Sequence, residues 1–389
     1  FLVFPRIPSS ENVYQLSSMQ AGLDASVEIK EEVPQVKHVE TPEAVKAIYM
    51  SSCVAGTPSF REDLLEVAQT TEINSILIDI KDYTGKLSFV VSDDHYLSEY
   101  LSDRCYAPDM KEFIETLHEN DIYVMGRVQV FQDDYYSRKY PEQAVQKESN
   151  GSIWTDRKGI TFTDASSRKA HDHVIEIAKQ SYAIGFDEIN FDYIRFPSDG
   201  DMSDIHFPLS GDRPKDEVIE DFFAYLHDEL KDTGIKTSAD LFGMVTTNTD
   251  DLNIGQVLEK ALPYFDYISP MVYPSHFPAD FNGWSNPNDK TYEIIKFTMD
   301  AAVERTIATS TVVQTIGSER IGTSTPAIYT KEVYDKNKIR PWLQDFDYGG
   351  DYDIKEVRNQ IQATYDSGLS SWYLWAPSNR YTIGALEKE

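Results

Sequence analysis

Apolar positions along this chain change their spacing in a regular way. From Val45 onward, short β-branched or aromatic runs are each followed by a longer stretch in which apolar residues return every three or four positions. The first spacing belongs to buried strands and the second to amphipathic helices. Strands are predicted near Val45 to Ser51, Ser75 to Asp82, Tyr123 to Phe131, Glu188 to Phe196, Lys236 to Gly243, Tyr267 to Pro274, Pro341 to Phe346 and Ser371 to Ala376. Eight strands in βα order predict an α/β chain folded as a (β/α)8 TIM barrel. The helical stretches carry matching ends: Ser166 and Ser167 can cap a stripe of Ala170, Val174, Ile177 and Ala178 that Gly185 stops. A doubly wound sheet is the alternative, but it would want a glycine-rich phosphate turn after its first strand, and none follows.

Two kinds of segment interrupt the rhythm. Residues 5–43 are polar, punctuated by Pro34 and Pro42, and lack a sustained helical period. Residues 1–43 therefore read as a linker or surface arm, and residues 44–389 as the barrel domain. The connections 198–214 and 307–340 are too long for simple turns. The first is expected to rim a cleft and the second to hold an added hairpin or short helices.

Side-chain alternation then sorts each strand into helix-facing and lumen-facing positions. On the fourth strand Ile189 and Phe191 suit the helices, which sends Asn190 and Asp192 inward. On the second, Ile76, Ile78 and Ile80 share one parity, while Asp79 and Lys81 share the other. On the third, Val124, Val128 and Val130 leave Arg127 and Gln129 inside. On the fifth, Ala239 and Leu241 leave Ser238 and Asp240 inside, and on the sixth Ile268 and Val272 turn Met271 and Tyr273 inward. Polar groups thus converge at the carboxyl end of the barrel, where barrel active sites are built. Buried without partners, each would cost about 1 to 3 kcal/mol. Either an internal ion-pair network or a ligand site must compensate.

Composition narrows the chemistry. In 389 residues, 65 Asp+Glu against 36 Lys+Arg leave a formal charge of -29, a field that repels nucleic acid and anionic lipid headgroups. No run of apolar residues is long enough to span a bilayer. Phe1-Leu2-Val3-Phe4 looks like the stub of a longer apolar segment, which predicts an extracellular or cell-surface anchored protein. Cys53 and Cys105, the two cysteines, are expected in loops at the same end of neighbouring strands, either bridged or as two unrelated thiols.

Two inward carboxylates on adjacent strands, ringed by Trp and Tyr, fit glycosidic bond cleavage best. That chemistry needs one carboxylate to attack or stabilise the anomeric carbon and one protonated carboxyl to release the leaving oxygen. Asp192 is the expected nucleophile or stabiliser, kept ionised by Arg195, Arg127 or Lys81, and Asp240 is the expected acid. Sugar faces stack on aromatic rings, and Tyr193, Tyr273, Trp375 and Tyr381 stand at or just beyond strand ends. Trp342 and Trp372 are expected in the core, and Trp154 over the cleft. Other chemistries fit less well. His171 and His173 are two apart on a helix and make a poor zinc pair. Neither a G-x-S-x-G elbow nor a phosphate-binding G-x-x-x-x-G-K-[ST] loop is present. Asp199, Asp201 and Asp204 could bind calcium, but spaced loop acids are usually solvated. The reading calls for no metal and no cofactor.

The stretch Gly185-Phe-Asp-Glu-Ile-Asn-Phe-Asp-Tyr-Ile-Arg-Phe-Pro197 resembles a bacterial glycoside hydrolase family long carried as a domain of unknown function. The resemblance covers about residues 44–385. Supporting stretches are Ile78-Asp-Ile-Lys-Asp82 with Gly85, Ser238-Ala-Asp-Leu-Phe-Gly243, Ser269-Pro-Met-Val-Tyr-Pro274, Arg340-Pro-Trp-Leu-Gln-Asp-Phe346 and Trp375 to Tyr381. It implies a barrel distantly similar to the α-amylase-like glycosidases, with a fourth-strand Asp as nucleophile and a fifth-strand acid as proton donor, which map to Asp192 and Asp240. The fifth-strand acid is Asp where the amylases usually carry Glu, and Asp345 matches their third acid only loosely. Substrate contacts are expected from Asp79, Lys81, Asp82, Arg127, Gln129, Asn190, Arg195, Tyr273, Gln344, Asp345, Trp375 and Asn379. The expected substrate is an oligo- or polysaccharide, and the alternative is a barrel that only binds cell-wall or capsular glycan.

Overall fold

The computed structural model describes residues 36–311, 322 and 329–388. The Phe1–Phe4 stretch, most of the polar arm and most of 312–328 lie outside the described residues. Among the described residues, those from 37 onward form one compact unit. Among the described residues, eight parallel strands close into a barrel: β1 Lys46–Met50, β2 Ser75–Lys81, β3 Tyr123–Gln129, β4 Glu188–Asp192, β5 Lys236–Phe242, β6 Tyr267–Met271, β7 Trp342–Gln344 and β8 Trp372–Trp375. Helices follow in the expected order: α1 Pro58–Thr70, α2 Met110–Glu119, α3 Arg168–Ala183, α4 Lys215–Leu230, the four-residue α5 Leu258–Ala261, α6 Thr291–Ile307 and α7 Ile354–Asp366.

The two apolar layers follow strand parity. Outside the strands, Ile76, Ile78, Ile80, Val124, Val128, Ile189, Phe191, Ala239 and Leu241 join the buried cluster under the helices. Inside, Val45, Ala47, Tyr49, Leu77, Tyr123, Met125, Trp342 and Tyr373 fill the lumen. Helix ends obey local chemistry: Ser167 caps α3, its hydroxyl accepting the Ala170 N–H at 3.1 Å.

Parity fails at one place. The β2–β3 register shifts between Asp79 and Lys81, so that Asp79 pairs with Arg127 while Lys81 pairs with Val128. A bulge of this kind turns the residues beyond it to the other face. Lys81 thereby sits beside the helix-facing Val128, where its Nζ reaches the Gln129 carbonyl at 2.5 Å and Asp133 at 2.8 Å.

Short pairings tie described parts of the long connections. Ile205–His206 runs antiparallel to Gln146–Lys147, joining the loops after β3 and β4, and Ser310–Thr311 pairs antiparallel with Tyr329–Thr330 in the expected added segment. Cys53, in the four-residue helix Ser52–Ala55 after β1, is disulfide-bonded to Cys105, in the loop after β2, which corrects the reading of two unrelated thiols. At the amino end of the barrel, Val39 donates its N–H to Asp187 at 2.8 Å and Thr41 bonds the Tyr123 hydroxyl at 3.1 Å.

Candidate active site

A cavity of about 270 Å³ opens at the carboxyl end of the barrel, lined by Arg127, Asp192, Tyr193, Arg195, Asp240, Phe242, Met271, Tyr273, His276, Trp342 and Trp375. Register explains the meeting of its acids. β4 and β5 pair Asn190 with Ser238 and Phe191 with Ala239, so Asp192 and Asp240 follow at the same level with the same parity. The chain then turns sharply after each. Tyr193 takes a left-handed φ of 51°, a conformation costly for a residue with a side chain, while its N–H donates to Asp192 Oδ1 at 2.6 Å. After Phe242, Gly243 passes so close to β6 that a Cβ there would stand 2.3 Å from the Met271 carbonyl oxygen.

Arg127 organises the charges. Its Nε lies 3.1 Å from Asp192 Oδ2, Nη2 bonds the same oxygen, and Nη1 donates to Asp79 Oδ1 at 2.6 Å. Nε also lies 3.8 Å from Asp240 Oδ2, so the Asp192 and Asp240 oxygens are separated by no more than those two Nε distances laid end to end. Asp240 Oδ1 accepts from Asn190 Nδ2 at 2.8 Å and from Trp342 Nε1 at 2.8 Å. With Oδ1 occupied by two donors, a proton on Asp240 belongs on Oδ2. Burial, then the neighbouring Asp192 charge, push the Asp240 carboxyl well above the ordinary carboxylate range, with Arg127, Asn190 and Trp342 pulling the other way. Burial likewise raises Asp79, opposed by Arg127 and by the Tyr49 hydroxyl. The His276 imidazole is pushed down by burial.

Aromatic rings wall the site. Trp375 packs on Tyr49 with ring centres 4.0 Å apart, meets Trp342 edge-on at 5.6 Å, and lies 5.1 Å from the Arg127 guanidinium. Tyr273 and Tyr193 also face the cavity, and burial raises both phenols.

Of the residues expected from the sequence, Asp192, Asp240, Arg127, Arg195, Tyr273 and Trp375 line the cavity. Asn190 lies beneath it and orients Asp240, and Asp79 reaches it through Arg127. The others are elsewhere. Lys81 is turned away by the bulge, and Asp82 shapes its own turn by accepting the Thr84 N–H at 2.9 Å. Gln129 gives its carbonyl to Lys81, and its side chain does not line the cavity. Gln344 holds the loop after β6 by accepting from Ser275. Asp345 caps Thr382, and Asn379 ties the ends of β8 and β1 by accepting the Ser51 N–H at 2.8 Å. Arg195 faces the cavity but bonds the Phe196 carbonyl and the Ser198 hydroxyl instead of Asp192, so Arg127 alone of the three expected cations engages the nucleophile candidate. Trp154 is 1% exposed and donates to the Asp201 carbonyl; it packs in the loop layer and does not line the cleft. Tyr381 is also absent from the lining, its hydroxyl donating to the Tyr49 carbonyl. Trp372 is core as expected.

Sequence reasoning missed Tyr49 and the role of Trp342. Tyr49 shares its strand with the helix-facing Ile48 and Met50, a parity that would have sent it inward. For Trp342 no such signal exists, because a large ring in a lumen reads as filler until its N–H is seen to reach Asp240. Among the described residues no group of three or more His, Cys, Asp or Glu side chains is placed to hold a metal ion. In the acidic loop Asp204 accepts from Ser149 and Asp201 caps Ser203.

Among curated proteins none matches this chain. Among solved structures, it is similar to the PgaB (BpsB) glycoside hydrolase domain from Bordetella bronchiseptica, with 12% identity, a TM-score of 0.57, and coverage of 88% of this chain and 99% of that one. It is also similar to alpha-L-fucosidase isoenzyme 2 from Paenibacillus thiaminolyticus, with 11% identity, a TM-score of 0.53, and coverage of 88% of this chain and 48% of that one. A hypothetical protein from Ruminiclostridium thermocellum is 33% identical over 50% of this chain and 96% of its own, with a TM-score of 0.44. The first two likenesses bear on the fold, which is the barrel described above. The model of a family described as "Putative glycosyl hydrolase domain" matches residues 47–381, nearly the whole barrel. The chain belongs to that glycosyl hydrolase family.

Proposed function

We propose that the protein is a secreted glycoside hydrolase that cleaves O-glycosidic bonds of a polysaccharide with Asp192 and Asp240. One observation carries the reading: two carboxyls on adjacent strands share Arg127 at the head of an aromatic-walled cavity, and burial beside Asp192 pushes the Asp240 carboxyl well above the ordinary carboxylate range. Asp192, held by a guanidinium on one oxygen and a backbone N–H on the other, is placed to attack the anomeric carbon. Asp240 carries the proton that the leaving oxygen needs and, once deprotonated, can take one from water. Retaining glycosidases hold their carboxyls about 5 to 5.5 Å apart and inverting ones about 6.5 to 9.5 Å. The upper bound set by Arg127 excludes most of the inverting range and is compatible with the shorter spacing, at which Asp192 would form a covalent glycosyl intermediate. Secretion is supported by the Cys53–Cys105 bridge, since such bonds persist in oxidising compartments.

Screening a glycan panel tests the reading, with the anomeric configuration of fresh products followed by NMR. The expected result is turnover with retained configuration, which Asp192→Asn abolishes. Binding without turnover across the panel, unaffected by that substitution, would instead support a barrel that only binds glycan.

A further inference from the structure

We propose that Asp79, fixed by Tyr49, is a positioning residue that acts on the Asp192–Asp240 pair through Arg127, engaging one side of the guanidinium so that the other side is committed to Asp192. The inference rests on the proposed carboxyl pair and deepens it. Asp79 is buried and does not line the cavity, so it is not placed to touch a sugar. Its two oxygens are both spoken for: Oδ1 accepts from Arg127 Nη1 at 2.6 Å and Oδ2 from the Tyr49 hydroxyl at 2.5 Å. A guanidinium has no acceptor, so Oδ1 cannot carry a proton toward it, and with the Tyr49 hydroxyl donating to Oδ2 Asp79 acts as a carboxylate that Arg127 and Tyr49 hold against the upward push of burial. Tyr49 is in turn braced by Trp375, which closes the cavity wall.

The consequence is electrostatic. One guanidinium faces three carboxyls. Two of them take its hydrogen bonds, and Asp240 stands off at 3.8 Å. Around Asp240 the other charged or titratable groups are Asp192 from β4 and Tyr273 beyond β6, with Asn190 and Trp342 as neutral donors. Around Asp79 they are Tyr49 from β1, Arg127 from β3 and Asp82 from the turn beyond β2. With the Asp79 charge in place, Arg127 is largely neutralised before it reaches Asp240. Without it, Asp192 alone offsets the guanidinium, so more of the positive charge acts on Asp240 and favours its ionised form, taking away the proton that the leaving group requires.

The test is a substrate-free titration of the Asp240 carboxyl carbon by NMR on the full chain with ¹³C-labelled aspartate, assigned with Asp240→Asn. Asp79→Asn is expected to move the Asp240 midpoint acidward by about 1 unit, as loss of a competing charge would. Asp79→Glu should restore most of it. Tyr49→Phe, which weakens the hold on the Asp79 anion, should move it the same way by less, and it carries the test if Asp79→Asn does not fold. Where a panel glycoside is turned over, the basic limb of kcat against pH should shift in step. A folded Asp79→Asn or Tyr49→Phe protein with an unmoved Asp240 midpoint overturns the relay. The two readings fail separately: if no glycoside is cleaved but the midpoint moves, the relay stands and the hydrolase reading falls; if glycosides are cleaved and the midpoint stays, the reverse holds.

Discussion

The barrel lumen holds two buried arginine clusters, one at each end, and they are built differently. At the amino end Arg340 meets one carboxylate, Glu188 at 3.0 Å, whose Oε2 also accepts from the Tyr123 hydroxyl while Arg340 Nη1 donates to Tyr373. At the carboxyl end Arg127 faces three carboxyls, Asp79, Asp192 and Asp240, beside a cavity. The lower cluster balances charge one for one among buried side chains, so removing either partner would leave an uncompensated charge. The upper one carries surplus acid that only a proton can neutralise. On the proposed function, the excess of like charge in a water-reachable hollow serves the reaction, whereas the balanced pair in the same lumen holds strands together.

Breaking each cluster should therefore damage a different property. The largest effect is expected from Asp192→Asn, which should lower kcat on a responsive glycan by about 10⁴-fold or more with little change in melting temperature, checked by calorimetry beside the assay. At the other end, Glu188→Ala leaves Arg340 buried and unpaired and should cost about 3 to 5 kcal/mol of stability in a urea titration, while turnover per folded molecule is kept.

A third outcome depends on pH. Burial raises the Asp240 pKa in the folded chain above its unfolded value, so the folded state binds the extra proton. Its stabilising contribution is present below the unfolded midpoint of about 3.9 and is lost as pH rises through the folded midpoint. Asp240→Asn escapes that loss. It should melt above the parent protein at neutral pH, and the gap should close toward pH 4, with loss of turnover throughout. Smallest is Trp342→Phe. It removes a donor that favours the ionised Asp240, so the basic limb of the pH profile should move to higher pH by a few tenths of a unit.

The same contrast explains what the sequence could tell. Strand parity is enforced by packing on the helices, so Ile189 and Phe191 disclose the direction of Asp192, and Ala239 and Leu241 that of Asp240. Parity therefore reached both candidate carboxyls and Arg127. It failed at Lys81, because a bulge between Asp79 and Lys81 leaves no mark in the hydrophobic pattern. It was also silent about roles. Gln344, Asp345 and Asn379 stand near the mouth in sequence order, yet they tie loops together, a distinction that depends on which backbone N–H happens to lie within reach. Of the three cations expected beside Asp192, Arg195, three residues away, bonds elsewhere, and the partner is Arg127 from the neighbouring strand. Contacts across strands are set by register, and register is not written in any one segment.

The central claim is that Asp192 is the anion that attacks the sugar and Asp240 the carboxyl that gives up the proton. Incubation with a panel of 2-deoxy-2-fluoro glycosides bearing activated leaving groups, followed by peptide mapping, tests it most directly. The account predicts a glycosyl mass on the peptide carrying Asp192, formed faster than in Asp192→Asn by orders of magnitude. A label on Asp240 or outside the cavity, or equal labelling in Asp192→Asn, would contradict it.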